Sequence, residues 1–321
     1  MKKRFVALRE AQPGDAWAAR FAAGRAEAEA WYLGTDRAPP PSARECRKAL
    51  GRHMPELLTL YDRACALVGD DEMAHRVISH WRPAPLAHGC TQAVWLGDGG
   101  PALVRNYDFP PHVVSDHFES TSWFGREVIS KGQRAWGGCI DGMNSDGLVA
   151  SLTFGGGAAQ GQGFAITLML RYVLETCRTV DDGLAVLSRL PVAQSQNVTL
   201  LDHSGAYATL FLGPVRAPAI SRLPVCANHQ EAPAVANRSV ARQQAVSAAL
   251  AEPGITLESL AARFLAPPLY AREVKNATVY SAIYRPFEGS VDYFWPGKTW
   301  RQRLGAFETG VYTHDYGDLA P

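Results

Sequence analysis

"LAHGCTQAVWLGDGGPALVRNYDF" (residues 86–109) places a cysteine directly after a glycine, at the start of a stretch rich in β-forming residues. Two short runs, 90–95 and 102–106, flank Asp98 and Gly99, a dipeptide that is typical of tight hairpin turns. The stretch therefore predicts an antiparallel β-hairpin whose first strand begins at the Gly-Cys pair.

The sequence before this hairpin has a different character. The segment "DAWAARFAAGRAEAEAWYLG" (15–34) is rich in alanine and poor in β-branched residues, and apolar residues further on recur at helical spacing. We predict that residues 1–89 form a helical segment and that residues 90–321 form a separate domain that is rich in β-strands.

Two further hairpins and several amphipathic helices are predicted after the first hairpin. The hairpins flank "DHSG" and "RPFEG", and the predicted helices cover residues 164–177, 180–190 and 239–250. Hairpins with helices inserted between them fit a layered α+β sandwich better than a series of parallel βαβ units.

Charge and hydropathy exclude several classes of function. The net charge is +1, from 32 basic and 31 acidic residues mixed along the chain, so no field of one sign is available to attract nucleic acid or an anionic membrane. We find no apolar run of membrane-spanning length and no signal-peptide pattern, which favours a cytoplasmic protein. A small-molecule substrate is the better expectation.

The six cysteines are widely spaced, and none forms a C-x-x-C pair. Together with the expected location, this spacing predicts free thiols rather than a disulfide framework. The cysteines are at positions 46, 65, 90, 139, 177 and 226.

Most lone cysteines are small buried residues, but the position of Cys90 favours a reactive one. A thiol that attacks the carbonyl carbon just before its own residue forms a five-membered ring, and Gly89 has no Cβ to crowd that ring. Hydrolysis of the resulting thioester leaves a chain that begins at Cys90 with a free α-amine, whose ordinary pKa of about 8 suits a general base. Gly89 and Cys90 thus predict a self-cleaving junction that supplies a nucleophile and its base within one residue.

Arg105 and Asp108 lie on the strand that the hairpin turn brings back beside Cys90. In a functional interpretation, Asp108 holds the new α-amine while Arg105 favours the thiolate and orients the substrate. In the alternative interpretation, the two residues form a surface salt bridge on a hairpin, and spacing alone favours this second interpretation.

Four motifs in order, "GCTQA", "RNYDF", "DGMNSDGL" with "ASLTFGGG", and "VCANH", resemble the self-processing cysteine branch of the N-terminal nucleophile hydrolases. This branch includes isopenicillin-N acyltransferase and, more distantly, choloylglycine hydrolase and penicillin V acylase. The similarity covers about residues 88–310, and the preceding segment resembles the propeptide of the branch in position and length. The resemblance implies a four-layer αββα sandwich and amide cleavage through a thioester acyl-enzyme.

The resemblance also implies roles for individual residues. Cys90 matches the nucleophile freed by cleavage after Gly89, and Arg105 and Asp108 match the charged pair near it, with Asp108 contacting the amine. Asn228 of "CANH" matches an asparagine whose side-chain amide helps to form the oxyanion hole.

Two positions match the family less closely. Thr153 of "ASLTF" stands where bile salt hydrolases carry a further asparagine and penicillin acylases a tyrosine, and its backbone N–H is the expected second oxyanion donor. A family arginine that follows the "ANH" element has two candidates here, Arg238 and Arg242, between which spacing does not choose. The departure at Thr153 implies that the substrate is not simply inherited.

No metal or cofactor is expected, because the thiol, the amine and fixed hydrogen-bond donors suffice for acyl chemistry. The expected partner is a small-molecule amide or acyl donor, without nucleic acid or membrane. The fate of the cleaved propeptide stays open: its helices carry apolar faces that need covering, which would allow it to remain bound as a subunit. Assembly into a homo-oligomer also stays open.

The favoured function is a self-processing cysteine amidohydrolase that acts on linear, non-peptide C–N amide bonds. Three alternatives stay open at this point. The first is an acyl-CoA-dependent N-acyltransferase, and the second is a papain-type hydrolase with His229 as the partner of Cys90. The third is a ligand-binding relative without catalytic activity.

Overall fold

Two β-sheets lie face to face at the centre of the computed structural model, which describes residues 1–34, 39–85, 89–133, 137–231 and 237–320. Its strands are β1 (Lys2–Arg9), β2 (Gly89–Trp95), β3 (Ala102–Asp108), β4 (His117–Thr121), β5 (Val128–Gly132), β6 (Cys139–Asn144), β7 (Val149–Phe154), β8 (Gln196–Leu201), β9 (Tyr207–Leu212), β10 (Ala219–Ser221), β11 (Val225–Cys226), β12 (Thr278–Arg285), β13 (Ser290–Trp295), β14 (Lys298–Arg303) and β15 (Gly310–Asp315).

The two sheets differ in size. One contains nine of the described strands in the order β10-β9-β8-β7-β6-β5-β4-β1-β15, and the other contains six in the order β11-β2-β3-β12-β13-β14. Neighbouring strands are antiparallel except β1 and β4, which run parallel. Hydrogen bonds join the facing surfaces: the Gln92 amide of β2, for example, donates to Thr199 Oγ1 of β8 at 2.6 Å.

Helices cover the outer faces of both sheets. They are α1 (Asp15–Ala23), α2 (Arg25–Leu33), α3 (Ala43–His53), α4 (Leu58–Val68), α5 (Glu72–Ser79), α6 (Ile166–Thr176), α7 (Val180–Arg189), α8 (Arg238–Leu250) and α9 (Leu257–Phe264). Helices α6 and α7 lie on the nine-stranded sheet, and α8 and α9 lie on the six-stranded sheet. Short 3-10 turns span Pro55–Leu57 and Pro111–Val113.

This layering confirms the predicted αββα sandwich. The three predicted hairpins are present as β2/β3, β8/β9 and β12/β13. Within the described part of the chain, no helix is long and apolar enough to cross a membrane.

The hairpin containing Cys90 lies at the centre of the sandwich because both of its faces are covered. All residues of β2 and β3 are buried. One face packs toward the nine-stranded sheet, and the other packs on α8 and α9 in a second core that includes Ala93, Val104, Leu260 and Phe264. Charged side chains on this hairpin must therefore find partners inside the protein.

The sequence predicted a helical segment over residues 1–89. The structure corrects this prediction, because the segment also contains a β-strand. These residues contain α1 to α5, but they begin with β1, which pairs with β15 on one side and β4 on the other. Only Phe5 and Ala7 of β1 are buried, and its four apolar residues, 5–8, are consecutive, so the sequence shows no alternation of apolar and polar residues. The local sequence therefore does not predict this strand. Residues 2–9 are extended because they pair with β4 and β15, which lie far away in the sequence.

Candidate active site

Cys90 lies on the face of β2 that points toward the nine-stranded sheet. It stands opposite Tyr107 of β3, and Gln92 stands opposite Arg105. Because side chains alternate along a strand, these four residues share one face of the hairpin. Arg105 Nη2 donates to Cys90 Sγ at 3.3 Å, and both side chains are fully buried. The predicted proximity of Arg105 to the thiol is present.

Three groups of the nine-stranded sheet hold the other end of this guanidinium. Arg105 Nη1 lies 2.7 Å from a carboxylate oxygen of Asp141 and donates to Ser151 Oγ at 2.8 Å and to the Ile140 carbonyl at 3.3 Å. The Asp141 carboxylate in turn accepts hydrogen bonds from the hydroxyls of Tyr280 and Tyr284. Nη1 is thereby fixed, and Nη2 is left pointing at the sulfur.

Asp108 lies on the opposite face of β3 from Arg105, because the two are three positions apart, an odd number, along the strand. Asp108 accepts from Arg242 Nη1 at 2.6 Å and from Thr278 Oγ1 at 2.7 Å. Arg105 and Asp108 therefore do not form the surface salt bridge of the alternative interpretation. Each has a different buried partner.

Asn228 contacts the backbone nitrogen of Cys90. Its Oδ1 accepts from Cys90 N at 2.9 Å and from Arg242 Nη2 at 2.6 Å, while its Nδ2 donates to the Phe154 carbonyl at 3.4 Å. The two donors at Oδ1 fix the orientation of the amide. In this arrangement the Asn228 oxygen, rather than the Asp108 carboxylate, holds the nitrogen of Cys90.

Of the two candidate arginines, Arg242 lies in the site. It is 4% exposed and joins Asp108 to Asn228. Arg238 instead forms an ion pair with Glu273 at 2.6 Å, in which both side chains are about half exposed. The geometry therefore separates two residues that spacing alone left equal.

Thr153 contacts the backbone of Ala227, the residue before Asn228. Its hydroxyl donates to the Ala227 carbonyl at 2.8 Å and accepts from Asn197 Nδ2 at 3.0 Å, and Asn197 also donates to the Ala227 carbonyl at 3.1 Å. These contacts fix the backbone beside Asn228. The oxyanion role of the Thr153 N–H stays a prediction.

Two glycines allow close packing at this site. A Cβ on Gly89 would lie 2.8 Å from Asp108 Cβ and 2.7 Å from Asn276 Oδ1, so no larger residue fits before Cys90 without displacement. Gly156, at φ +80°, lies against the Asn228 carbonyl, which a Cβ would approach to 3.0 Å. The Gly-Cys junction is thus fixed by steric as well as chemical requirements.

In the uncleaved chain, burial is the largest influence on the pKa of the Cys90 thiol. It raises the pKa of Cys90 to about 12, and Asp108 also raises it, while the positive charge of Arg105 lowers it. At neutral pH the thiol is therefore protonated in this form. Exposure of the sulfur would remove the largest cause of the shift.

His229 does not partner the thiol. Its Nδ1 is hydrogen bonded to Ser239 Oγ and its Nε2 to Gln243 Oε1, each at 2.7 Å. Both ring nitrogens are therefore occupied by residues of α8. This geometry argues against the papain-type alternative, which needs a histidine nitrogen at Cys90 Sγ.

Sequence reasoning missed the residues that hold Arg105: Asp141, Ser151, Tyr280 and Tyr284. Asp141 belongs to the "DGMNSDGL" motif, which carried the resemblance, but nothing in the motif indicates that its carboxylate crosses to the other sheet. Tyr280 and Tyr284 are four residues apart on a strand and so share a face, a signal that could have paired them with each other but not with Asp141.

Comparisons with known proteins come from a family model and from solved structures. The family model for "Acyl-coenzyme A:6-aminopenicillanic acid acyl-transferase" matches residues 95–300. No curated protein matches the chain significantly. Similar solved structures include penicillin V acylase from Agrobacterium tumefaciens, with 16% identity, a TM-score of 0.47, and coverage of 67% of this chain and 86% of that one.

Two other solved structures have similar statistics. The Caenorhabditis elegans ortholog of N-acylethanolamine-hydrolyzing acid amidase has 13% identity and a TM-score of 0.45, with coverage of 62% of this chain and 93% of that one. A variant of conjugated bile acid hydrolase from Clostridium perfringens has 11% identity and a TM-score of 0.49, with coverage of 72% and 98%.

Proposed function

The chain belongs to the acyl-coenzyme A:6-aminopenicillanic acid acyl-transferase family, within the N-terminal nucleophile hydrolases, and from this premise we propose that it is a self-processing cysteine amidohydrolase. Its substrate is a linear, non-peptide amide, and its nucleophile is Cys90, freed by cleavage after Gly89. One observation carries the proposal: Cys90 Sγ contacts the Arg105 guanidinium while Cys90 N contacts Asn228 Oδ1. Both reacting atoms of one residue thus have their own polar partner, fully buried for Arg105 and partly buried for Asn228.

Self-cleavage begins with attack of Cys90 Sγ on the carbonyl carbon of Gly89. The S–C bond forms, the C–N bond of the peptide breaks, and the thiol proton ends on the Cys90 nitrogen. Water then hydrolyses the thioester, which leaves a carboxylate on Gly89 and restores the thiol of Cys90. Asn228 Oδ1 already accepts from this nitrogen and can retain it as it becomes an amine.

The mature site would cleave amides by the same chemistry. The α-amine of Cys90, with an ordinary pKa of about 8, takes the thiol proton as the sulfur attacks the substrate carbonyl and returns it to the leaving amine. Water then hydrolyses the acyl thioester. In this scheme Arg105 stabilises the thiolate, and Arg242 with Asp108 keeps Asn228 at the amine.

The arginines around the site favour hydrolysis over acyl-CoA-dependent transfer. Arg105, Arg242 and Arg238 are each paired with a carboxylate, at 2.7, 2.6 and 2.6 Å. Paired cations have little charge to offer the phosphates of coenzyme A. Transfer stays the second candidate because the family model is that of an acyl-transferase.

A labelled acyl donor separates the two candidates. The mature protein is incubated with a labelled acyl-CoA or N-acyl amide, with and without an amine acceptor. Hydrolysis predicts labelled free acid in both incubations. Formation of a labelled N-acyl product that depends on the acceptor would support the transferase.

Trapping of the acyl-enzyme tests the nucleophile. Acid quenching during turnover of N-acyl p-nitroanilides should leave the acyl group on the peptide that begins at Cys90, as located by mass spectrometry. Cys90→Ala should lose both adduct and activity, whereas Cys139→Ala, which removes another fully buried thiol, should keep both. An adduct on any other residue would contradict the proposal.

We further propose that residues 1–89 stay bound after cleavage. Residues 2–7 of β1 pair with β15, and residues 6–9 pair with β4, so this segment completes the nine-stranded sheet. Arg189 of α7 also donates to the His53 carbonyl at 2.6 Å, and Tyr172 of α6 to Glu56 at 2.6 Å. The two fragments should elute together in gel filtration and separate only in denaturant; separation under native conditions would contradict retention.

The alternative of a ligand-binding relative without catalytic activity makes a different prediction. It expects no processing and no modification of Cys90 by iodoacetamide, since the thiol is fully buried in the continuous chain. Selective alkylation of Cys90 in cleaved protein would exclude that alternative.

A further inference from the structure

A buried ionic network surrounds the side of Arg105 that faces away from the thiol. Asp141 of β6 reaches from the nine-stranded sheet to Arg105 of β3, and two tyrosines of β12 reach back to Asp141. All four side chains are fully buried. The network therefore links both sheets through a single carboxylate.

We propose that Asp141, fixed by Tyr280 and Tyr284, is the positioning residue that holds Arg105 Nη2 against Cys90 Sγ. The inference rests on the proposed function, since it assigns a role relative to Cys90 as nucleophile. Asp141 contacts Arg105 and not the sulfur, so it acts through the guanidinium.

The hydrogen-bond geometry supports positioning over simple structural stabilisation. Asp141, Ser151 and the Ile140 carbonyl all bind Nη1, so the planar guanidinium cannot rotate without breaking these contacts. Rotation is the motion that would withdraw Nη2 from the sulfur.

The chemistry of the two tyrosines adds to this argument. Burial and the Asp141 charge raise the pKa of Tyr280 and Tyr284 well above the ordinary value, so both remain protonated donors. A buried ion pair by itself is often no more stable than an apolar replacement of similar volume. A network with this many polar partners is thus better explained by control of one guanidinium than by stability.

The charges that act on Cys90 come from three elements. Arg105 of β3 and Arg242 of α8 lower the pKa of the thiol, while Asp108 of β3 and Asp141 of β6 raise it. Loss of the Asp141 charge alone would lower the thiol pKa, whereas release of Arg105 from the sulfur would raise it, and Arg105 acts on the thiol more strongly than Asp141 does. Acidity and turnover would change in ways that mere loss of structure does not produce.

The experiment measures Cys90 alkylation by iodoacetamide against pH, together with kcat, in cleaved wild-type protein and in Asp141→Asn. We expect the midpoint of alkylation to rise by about one pH unit in the variant, because the thiolate loses its contact with the displaced guanidinium. We expect kcat to fall by about 10- to 100-fold, because the guanidinium is displaced.

Tyr280→Phe and Tyr284→Phe keep the charge but remove one donor each. Asp141 then holds Arg105 less firmly and its carboxylate is less well shielded, so the alkylation midpoint should rise by a few tenths of a unit, less than in Asp141→Asn. Tyr316→Phe is the matched control, because it removes a buried hydroxyl that donates to the Val279 carbonyl of β12 and leaves Asp141 untouched. Its alkylation profile and kcat should match the wild type.

The outcomes separate this inference from the proposed function. If wild-type Cys90 is neither freed nor alkylated, the proposed function fails. If wild-type Cys90 is alkylated normally but the midpoint in Asp141→Asn stays unchanged or falls, as loss of the carboxylate charge alone would make it do, the positioning role is wrong while the nucleophile stands. Should Asp141→Asn fail to fold, as judged by circular dichroism, the tyrosine variants still decide: an upward shift with a lower kcat supports the positioning role, and an unchanged profile and kcat contradict it.

Discussion

Two buried arginine–aspartate pairs lie on opposite faces of the hairpin that carries Cys90. Arg105 and Asp141 are 2.7 Å apart between the two sheets, and Arg242 and Asp108 are 2.6 Å apart under α8. The first pair contacts the Cys90 sulfur directly, and the second reaches the Cys90 nitrogen through Asn228. Because side chains alternate along the strands, the Cys90 sulfur and the Cys90 nitrogen, the proposed base, are each held by a different arginine–aspartate pair.

The first way to break this comparison is to remove the cation at the sulfur. Arg105→Met should lower kcat/KM by about 100- to 1000-fold, the usual effect of losing one fixed electrostatic group at a reacting atom. The measurement is kcat/KM on the cleaved fraction, with cleavage quantified separately. Alkylation of the Cys90 thiol should slow in Arg105→Met as well. If Arg242→Met slowed that alkylation equally, the two faces of the hairpin would not be functionally distinct.

The second way is to remove the carboxylate on the other face. Asp108→Asn leaves Arg242 buried without its counterion, which should reduce the free energy of unfolding by about 3 kcal/mol. Urea unfolding would be measured in a Cys90→Ala background, where every molecule is a single chain. A loss below 1 kcal/mol would show that this pair is not a structural support of the site.

Asn228 sharpens the comparison, because it joins the second pair to the Cys90 nitrogen. Asn228→Asp keeps an oxygen acceptor for that nitrogen and for Arg242, whereas Asn228→Ala keeps none. Self-cleavage should therefore stay within a few-fold in Asn228→Asp and slow by about tenfold in Asn228→Ala, as followed by the loss of uncleaved chain on gels. Equal slowing in both variants would favour a role for the Nδ2 donor, as the family resemblance implied.

The smallest effect is expected at an ion pair of the same length outside the site. Arg238 and Glu273 are 2.6 Å apart but about half exposed, so Glu273→Gln should reduce the free energy of unfolding by less than about 1 kcal/mol. Self-cleavage and activity should match the wild type. A loss as large as that of Asp108→Asn would mean that burial does not distinguish these pairs.

Much of the fold and part of the site could be predicted from the sequence. Hairpin turns and alternating strands fixed the position of Cys90 and Arg105 on neighbouring strands, because the Asp98–Gly99 turn determines their register. The same alternation predicts that Arg105 and Asp108 lie on opposite faces of β3, as they do in the structure. Periodicity within one element was informative wherever the contacts were local.

The remaining features depend on contacts between distant segments. Asp141 reaches Arg105 across the gap between two sheets, and Arg242 reaches Asp108 from a helix 134 residues away in the chain. Strand β1 was missed for the same reason, since its pairing partners lie near residues 117 and 315. Local propensity contains no information on such pairings.

The intact masses of wild-type protein and of Cys90→Ala test the central claim most directly. The proposed chemistry predicts two wild-type species, residues 1–89 and residues 90–321 with an unmodified N-terminal cysteine, and a single chain of 321 residues for Cys90→Ala. A wild-type protein that stays a single chain while it cleaves amides at full rate would contradict the claim that Cys90 acts as a freed N-terminal nucleophile.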